Sequence, residues 1–243
     1  ERLEARSPTL RADIAGDVRP EGWNAQGEAV WTGEAPVAAL ALGGEASLVF
    51  DARYLSGALD ARTQIRTDRV SAGPLTLRDA DLRVQAEGPL SDLSGAWRLE
   101  AGTDNGPVDL AGDFTREGER IALPGIDGRL MSFAVDGALD PSRGARAFAL
   151  TATPVAGFGE LTAQGSLEDG VLDMSMNAQD MVQGDLVYLD ALEASVQGPL
   201  EDIDLSLQTI GAYGARFDLS IEGGARLAGG PLRVQLSPQG KYG

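Results

Sequence analysis

The chain has 243 residues, among them 32 glycines and 12 prolines but no cysteine or histidine, and 37 acidic against 20 basic side chains give a net charge of −17. Without thiols or imidazoles there is no disulfide, no thiolate or imidazole metal site, no Ser-His-Asp triad and no thiol nucleophile. The one lysine is Lys241, which leaves none for a P-loop or a buried Schiff base, and so acidic a surface repels phosphate backbones, so nucleic acid is not an expected partner.

A hydrophobic fraction of 43% with 23% charged residues is that of a folded chain. The longest uncharged stretch, Ala147 to Gly159, is interrupted by Pro154 and too short to span a bilayer. No basic region followed by an apolar one opens the chain. It starts at Glu1 and has no methionine before Met131, which predicts an internal piece of a longer protein. No Pro/Gly/Ser-rich linker marks a boundary, so residues 1–243 read as one continuous β array.

Taken in chain order, the segments alternate with period two, the pattern of half-buried strands. Short helical candidates at Ala52–Leu59 and Met181–Leu189 do not sustain a helical stripe. Leu82 and Val84 share one face, as do Trp97 and Leu99. Met131, Phe133 and Val135 follow, then Phe148, Leu150 and Ala152, then Leu172, Met174 and Met176. Leu192 and Val196 lead to Ile203, Leu205 and Leu207, with Asp204 and Ser206 between them. Phe217, Leu219 and Ile221, and finally Leu232, Val234 and Leu236, complete the set. Because successive side chains point to opposite faces, each run has one apolar and one wet face.

A turn recurs between these runs. Gly88-Pro89-Leu90-Ser91-Asp92-Leu93 is repeated as Gly198-Pro199-Leu200-Glu201-Asp202-Ile203, with looser copies at Gly57, Gly137 and Gly165. Glycine supplies an angle closed to other residues and proline ends the ladder. Leucine is expected to drop back toward the apolar side, and aspartate to bond within its own turn. Gly112-Asp113-Phe114 marks a further expected turn. A spacing near 30 residues holds two strands and two connections, so the chain reads as a quasi-repeat of β-hairpins or meanders.

Motifs for chemistry are weak. Carboxylate pairs such as Asp79/Asp81, Glu168/Asp169 and Glu201/Asp202/Asp204 fall in turns or at alternate strand positions, where solvated acidic faces occur anyway. Thr103-Asp104-Asn105-Gly106 is a turn rather than a calcium loop. No nucleophile elbow, P-loop or dinucleotide fingerprint is present. A non-enzymatic role without a cofactor or metal follows. Trp97 suits the apolar side beside Leu99, and Met174, Met176 and Met181 suit either core gaps or adaptable lipid contacts.

At its Gly-Pro-Leu-x-Asp turns, at Leu75 to Leu93 and at Leu192 to Leu207, the sequence resembles the AsmA-like superfamily of Gram-negative envelope proteins, which includes the TamB and YdbH types. The resemblance implies an elongated, curled antiparallel sheet forming a β-groove, in a periplasmic protein tethered to the inner membrane by a segment outside this sequence. It also implies intermembrane phospholipid transport, with flanking segments of the same chain and other envelope proteins as further partners. Exposing a sixteen-carbon tail to water costs on the order of 13 kcal/mol, and a trough lined by Leu82, Val84, Trp97, Leu99 and the later apolar residues named above would hide it. Roughly 17 strands at about 4.8 Å would span on the order of 80 Å. The net negative charge would keep such a segment off anionic leaflets.

Alternation alone leaves a second architecture open, a sandwich or filled solenoid whose apolar faces pack on each other and serve a structural or interaction role. A carbohydrate-active enzyme using paired carboxylates is a third reading, for which no constellation nominates residues.

Overall fold

The computed structural model describes residues 2–7, 9–33, 35–37, 40–72, 75–118, 120–140, 147–168, 171–183, 187–199, 202–213, 215–226 and 233–242. Every regular element among them is a β-strand. The chain divides into two compact units, residues 1–131 and 132–243.

The first unit contains β1 (Arg2–Arg6), β2 (Leu10–Arg19), β3 (Gly22–Thr32), β4 (Ala35–Val37), β5 (Leu40–Leu55), β6 (Ala58–Ala72), β7 (Leu75–Pro89), β8 (Asp92–Thr103), β9 (Gly106–Glu117) and β10 (Arg120–Leu130). All pairings are antiparallel and follow chain order, except that the short β4 and the longer β3 share β5 between them. The second unit contains β11 (Phe133–Leu139), β12 (Phe148–Pro154), β13 (Gly157–Glu168), β14 (Val171–Gln183), β15 (Val187–Pro199), β16 (Ile203–Tyr213), β17 (Ala215–Arg226) and β18 (Arg233–Tyr242). It too is an antiparallel meander in chain order. The fold is thus all-β, as the alternation predicts, and no ladder joins β1 to β10 or β11 to β18 among the described residues. The two helical candidates fall instead on β5–β6 and β14–β15.

The recurring turn does part of what its residues predict. β7 ends at Pro89 and β15 at Pro199, where proline has no N–H to donate. Leu90, however, does not return to the apolar side: it is half exposed in the turn, and Leu93, just after the aspartate, is the buried residue. Ile203 takes the same place in the second copy and is buried too. One expected turn is corrected: Gly112 lies inside β9, where it serves as a position without a side chain on the crowded apolar face. The looser copies start inside β11 at Gly137 and inside β13 at Gly165, as the closer ones start inside β7 and β15, and their last residues, Pro141 and Asp169, lie outside the described residues. Gly112 lies opposite Trp97, whose indole nitrogen would be 3.2 Å from a Cβ at that glycine.

The chain exposes 15360 Å², whereas two separate compact globules of half its size would together expose about 12,400 Å². Among the described residues only one large side chain, Ile203, is essentially fully buried, and six of the eleven buried apolar residues are alanines. In β16 the apolar side is the less exposed one: Leu205 and Leu207 are half-buried while Asp204, Ser206 and Gln208 are exposed. These antiparallel meanders are consistent with a curled β-groove.

Candidate functional site

Residues directly opposite one another in an antiparallel pair project to the same face, so the registers sort side chains into rows running across the strands. In the second unit one row is Gly137, Leu150, Ala163, Met176, Ala194, Leu207, Ile221 and Pro238. The next is Leu139, Phe148, Gly165, Met174, Val196, Leu205, Gly223 and Leu236. A third is Val135, Ala152, Leu161, Ala178, Leu192, Thr209, Leu219 and Gly240. Small residues separate large ones along the rows, which is what a concave surface requires if its side chains are not to collide. Thr209, the one polar member, is buried and donates its hydroxyl to the Ala191 carbonyl at 3.2 Å. On the other face the matching row is Asp136, Thr151, Thr162, Asn177, Glu193, Gln208, Ser220 and Gln239, every one polar.

The first unit repeats the arrangement. Leu3, Ile14, Gly27, Phe50, Thr63, Val84, Trp97, Gly112 and Ile126 form one row, and Ala12, Ala29, Leu48, Ile65, Leu82, Leu99, Leu110 and Gly128 the next. Small residues dominate a third row, Gly16, Ala25, Ala52, Ala61, Ala86 and Gly95, which ends on Phe114. Within this apolar face the Trp97 Nε1–H is buried without a hydrogen-bond acceptor.

The registers therefore bring most residues nominated from the sequence onto one face of their own unit. Leu82, Val84, Trp97 and Leu99 are half-buried neighbours in the first. In the second, Phe148, Leu150, Leu172, Met174, Met176, Leu192, Val196, Leu205, Leu207, Phe217, Leu219 and Ile221 are half-buried, and Val135 and Ile203 are buried. Phe133 sits at the end of the same face, opposite Pro154. In the ladder Val234 and Leu236 stand opposite Ala225 and Gly223, and Leu232 lies outside the described residues. Met131 is the exception. It occupies the turn after β10 with φ of +58° and donates its N–H to the Pro107 carbonyl at 2.7 Å, so it belongs to no row; a turn rather than a strand ends the Met131/Phe133/Val135 alternation.

Other residues of the same face went unnominated, among them Leu48, Phe50, Ile65, Leu110, Phe114 and Leu161. Val49 hides the signal around β5: it makes Leu48-Val49-Phe50 a continuous apolar run, yet sits on the polar face 49% exposed. Thr63 and Thr67 dilute the signal in β6.

The polar face of the first unit is laced by charge. Asp81 accepts hydrogen bonds from Gln64 (2.9 Å), Arg66 (3.2 Å) and Arg83 (2.9 Å), which ties β6 to β7. Burial pushes its pKa up, but the bonds from Arg83, Gln64 and Arg66 outweigh this and hold it down at about 2. Arg98 bridges to Asp109 at 2.9 Å across β8 and β9. Beside these pairs an open trough of about 840 Å³ crosses the strands, lined by Ala15, Val49 and Ala96 as well as by Asp13, Glu28 and Asp51 toward one end and Arg62, Arg83 and Arg98 toward the other. Among the described residues, no group of three or more acidic side chains could hold a metal ion, and no helix is long and apolar enough to cross a membrane.

Comparison with known protein families and with curated proteins finds no match to this chain.

Proposed function

We propose that the chain is a periplasmic segment of an AsmA-like protein that carries phospholipid between the inner and outer membranes, sheltering acyl chains against its apolar inner face. The observation that carries this reading is the continuity of the apolar rows across neighbouring strands of each unit, with most of their large side chains left half-buried. A face packed for stability alone would bury its leucines and phenylalanines nearly completely, as ordinary cores do. Each methylene moved from water to that face gains about 0.8 kcal/mol, enough over a whole tail to hold it without any specific polar contact. The lining is apolar and, among the rows described, has no polar anchor beyond Thr63, Thr209 and the Trp97 indole, which favours broad lipid selectivity. The mechanism is passive sliding along the rows, with headgroups left in water and no bond made or broken.

Native mass spectrometry of the protein after gentle extraction tests this reading. Phospholipid retained at defined stoichiometry supports it. Protein free of lipid from every extraction, with the large inner side chains protected as in a closed core, overturns it.

A further inference from the structure

The outward face of the second unit is mostly polar, and apart from Val171, exposed on it beside Pro199, its large apolar side chains gather at one place. There, Phe158 stands opposite Val182, Val182 opposite Tyr188, and Tyr188 opposite Ala212, and in the adjoining row Ala191 faces Ile210. Phe158 is 61% exposed, Ile210 44% and Tyr188 37%. These side chains share the surface that otherwise displays Thr162, Asn177, Glu193 and Gln208.

Two aligned bulges create this patch. In β14 the ladder to β13 runs from Gln179 to Val182 while β13 advances only from Glu160 to Phe158, so β14 carries one extra residue. In β15 the ladder to β16 passes over Asp190 between Leu189 and Ala191. Asp180, with φ of +45°, and Asp190 are the residues passed over between β14 and β15 themselves. An extra residue reverses the inward–outward phase of everything beyond it. Met181 and Leu189 are thereby turned inward, and Val182 and Tyr188 are brought out between Phe158 and Ala212. The bulges exchange Met181 and Leu189, now inward, for Val182 and Tyr188, now outward beside Phe158 and Ile210, which face outward by ordinary alternation. A contiguous apolar patch on an otherwise polar face, shaped by bulges, is a feature of interaction surfaces.

The charge around the patch specifies its occupant. Glu160, Asp180, Asp190 and Asp218 frame it; of the two cations beside this frame, Arg216 is held to Asp190 at 3.0 Å and Lys241 stands opposite Asp218. No lysine or arginine occurs from residue 147 to 215. An anionic membrane surface would be repelled, and so would a second copy of this chain with its net charge of −17. We infer that the Phe158–Val182–Tyr188–Ala212 row and Ile210 form a docking surface for a basic, amphipathic protein segment, one that sets large apolar side chains on this row and lysines or arginines over the acidic frame. This holds whether or not lipid occupies the inner face.

The test uses a fluorescently labelled peptide of alternating leucine and lysine blocks, read by anisotropy against the full chain. The wild-type protein binds it at least about tenfold more tightly than Phe158→Ser/Ile210→Ser, and added salt weakens the binding. Both replaced side chains are exposed, so the circular dichroism of the variant stays as in the wild type. A second variant, Glu160→Lys/Asp218→Lys, loses the lysine peptide and gains an otherwise identical glutamate peptide. Equal binding to wild type and the serine variant would overturn the inference, since attachment would then be to the inner face or to net charge alone. So would Phe158-dependent binding of phosphatidylglycerol vesicles in place of the peptide, which would make the patch a membrane contact.

Discussion

The backbone of Gly198 passes so close to Asp202 that a Cβ on the glycine would lie 2.5 Å from the Asp202 carbonyl oxygen, and Gly88 stands in the same relation to Asp92 at 2.6 Å. Both glycines are left-handed, with φ of +125° and +118°. The shared geometry gives the repeated turn its physical content: the strand must fold back tightly enough to bring the residue after the aspartate, Leu93 or Ile203, into the buried base of the next strand.

Gly198→Ala should therefore cost about 2 kcal/mol or more, from the left-handed penalty and the backbone collision together. Gly125→Ala, at a position with open space around it, should stay within about 0.5 kcal/mol of wild type. Urea denaturation of the two variants checks this, and equal losses would remove the special role given to the turn.

Asp81 predicts a pH dependence. Its folded-state pKa of about 2 lies below the ordinary carboxylate value near 3.9, so its contribution is fully present above about pH 5 and is lost as the pH falls toward 2. Its arginine partners are exposed and screened by solvent, so Asp81→Asn should lower stability by only about 1 to 2 kcal/mol at pH 7, with the gap to wild type closing as the pH is lowered. A gap that stays constant with pH would show that the loss comes from packing rather than from the ionised carboxylate.

The two faces should respond oppositely to charge. Leu205→Arg puts a guanidinium among half-buried apolar side chains and should reduce bound phospholipid by at least about tenfold. Ser206→Arg, on the exposed face, should leave lipid binding unchanged. The same contrast is expected for Leu219→Arg and Ser220→Arg. Lipid content per protein measures all four, and matching losses on both faces would contradict a one-sided lining.

Much of this face was legible in the sequence, because a period of two assigns each residue to a side without knowledge of its partner. The alternation in β16, for instance, places Ile203, Leu205 and Leu207 together whatever pairs with them. The neighbour across the ladder was not legible. Gly112 reads as a turn because glycine is commonest there, whereas only the register shows that it faces Trp97. The phase reversal at Asp180 and Asp190 was equally hidden, since a bulge is a mismatch between two strands and neither strand records it alone. Leu90 was misplaced for a simpler reason: the turn is too tight for its first leucine to reach the sheet, so that role passes to Leu93.

Tryptophan reports on the same surface. Trp23, Trp31 and Trp97 all belong to the apolar face by register, opposite Tyr54, Ala46 and Val84, and Trp23 stacks on Tyr54 with centroids 6.0 Å apart. In a protein retaining only Trp97, phospholipid brominated along its acyl chains should quench the fluorescence, while lipid brominated at the headgroup should not. Headgroup quenching alone would mean that the tails lie elsewhere.

The most direct measurement is site-specific photocrosslinking, with benzoylphenylalanine at position 205 in one protein and at position 206 in another, each irradiated with phospholipid bound. The account predicts lipid adducts from position 205 and none above background from position 206. Adducts from 206 alone, or equally from both, would contradict the claim that the curled apolar face is where acyl chains lie.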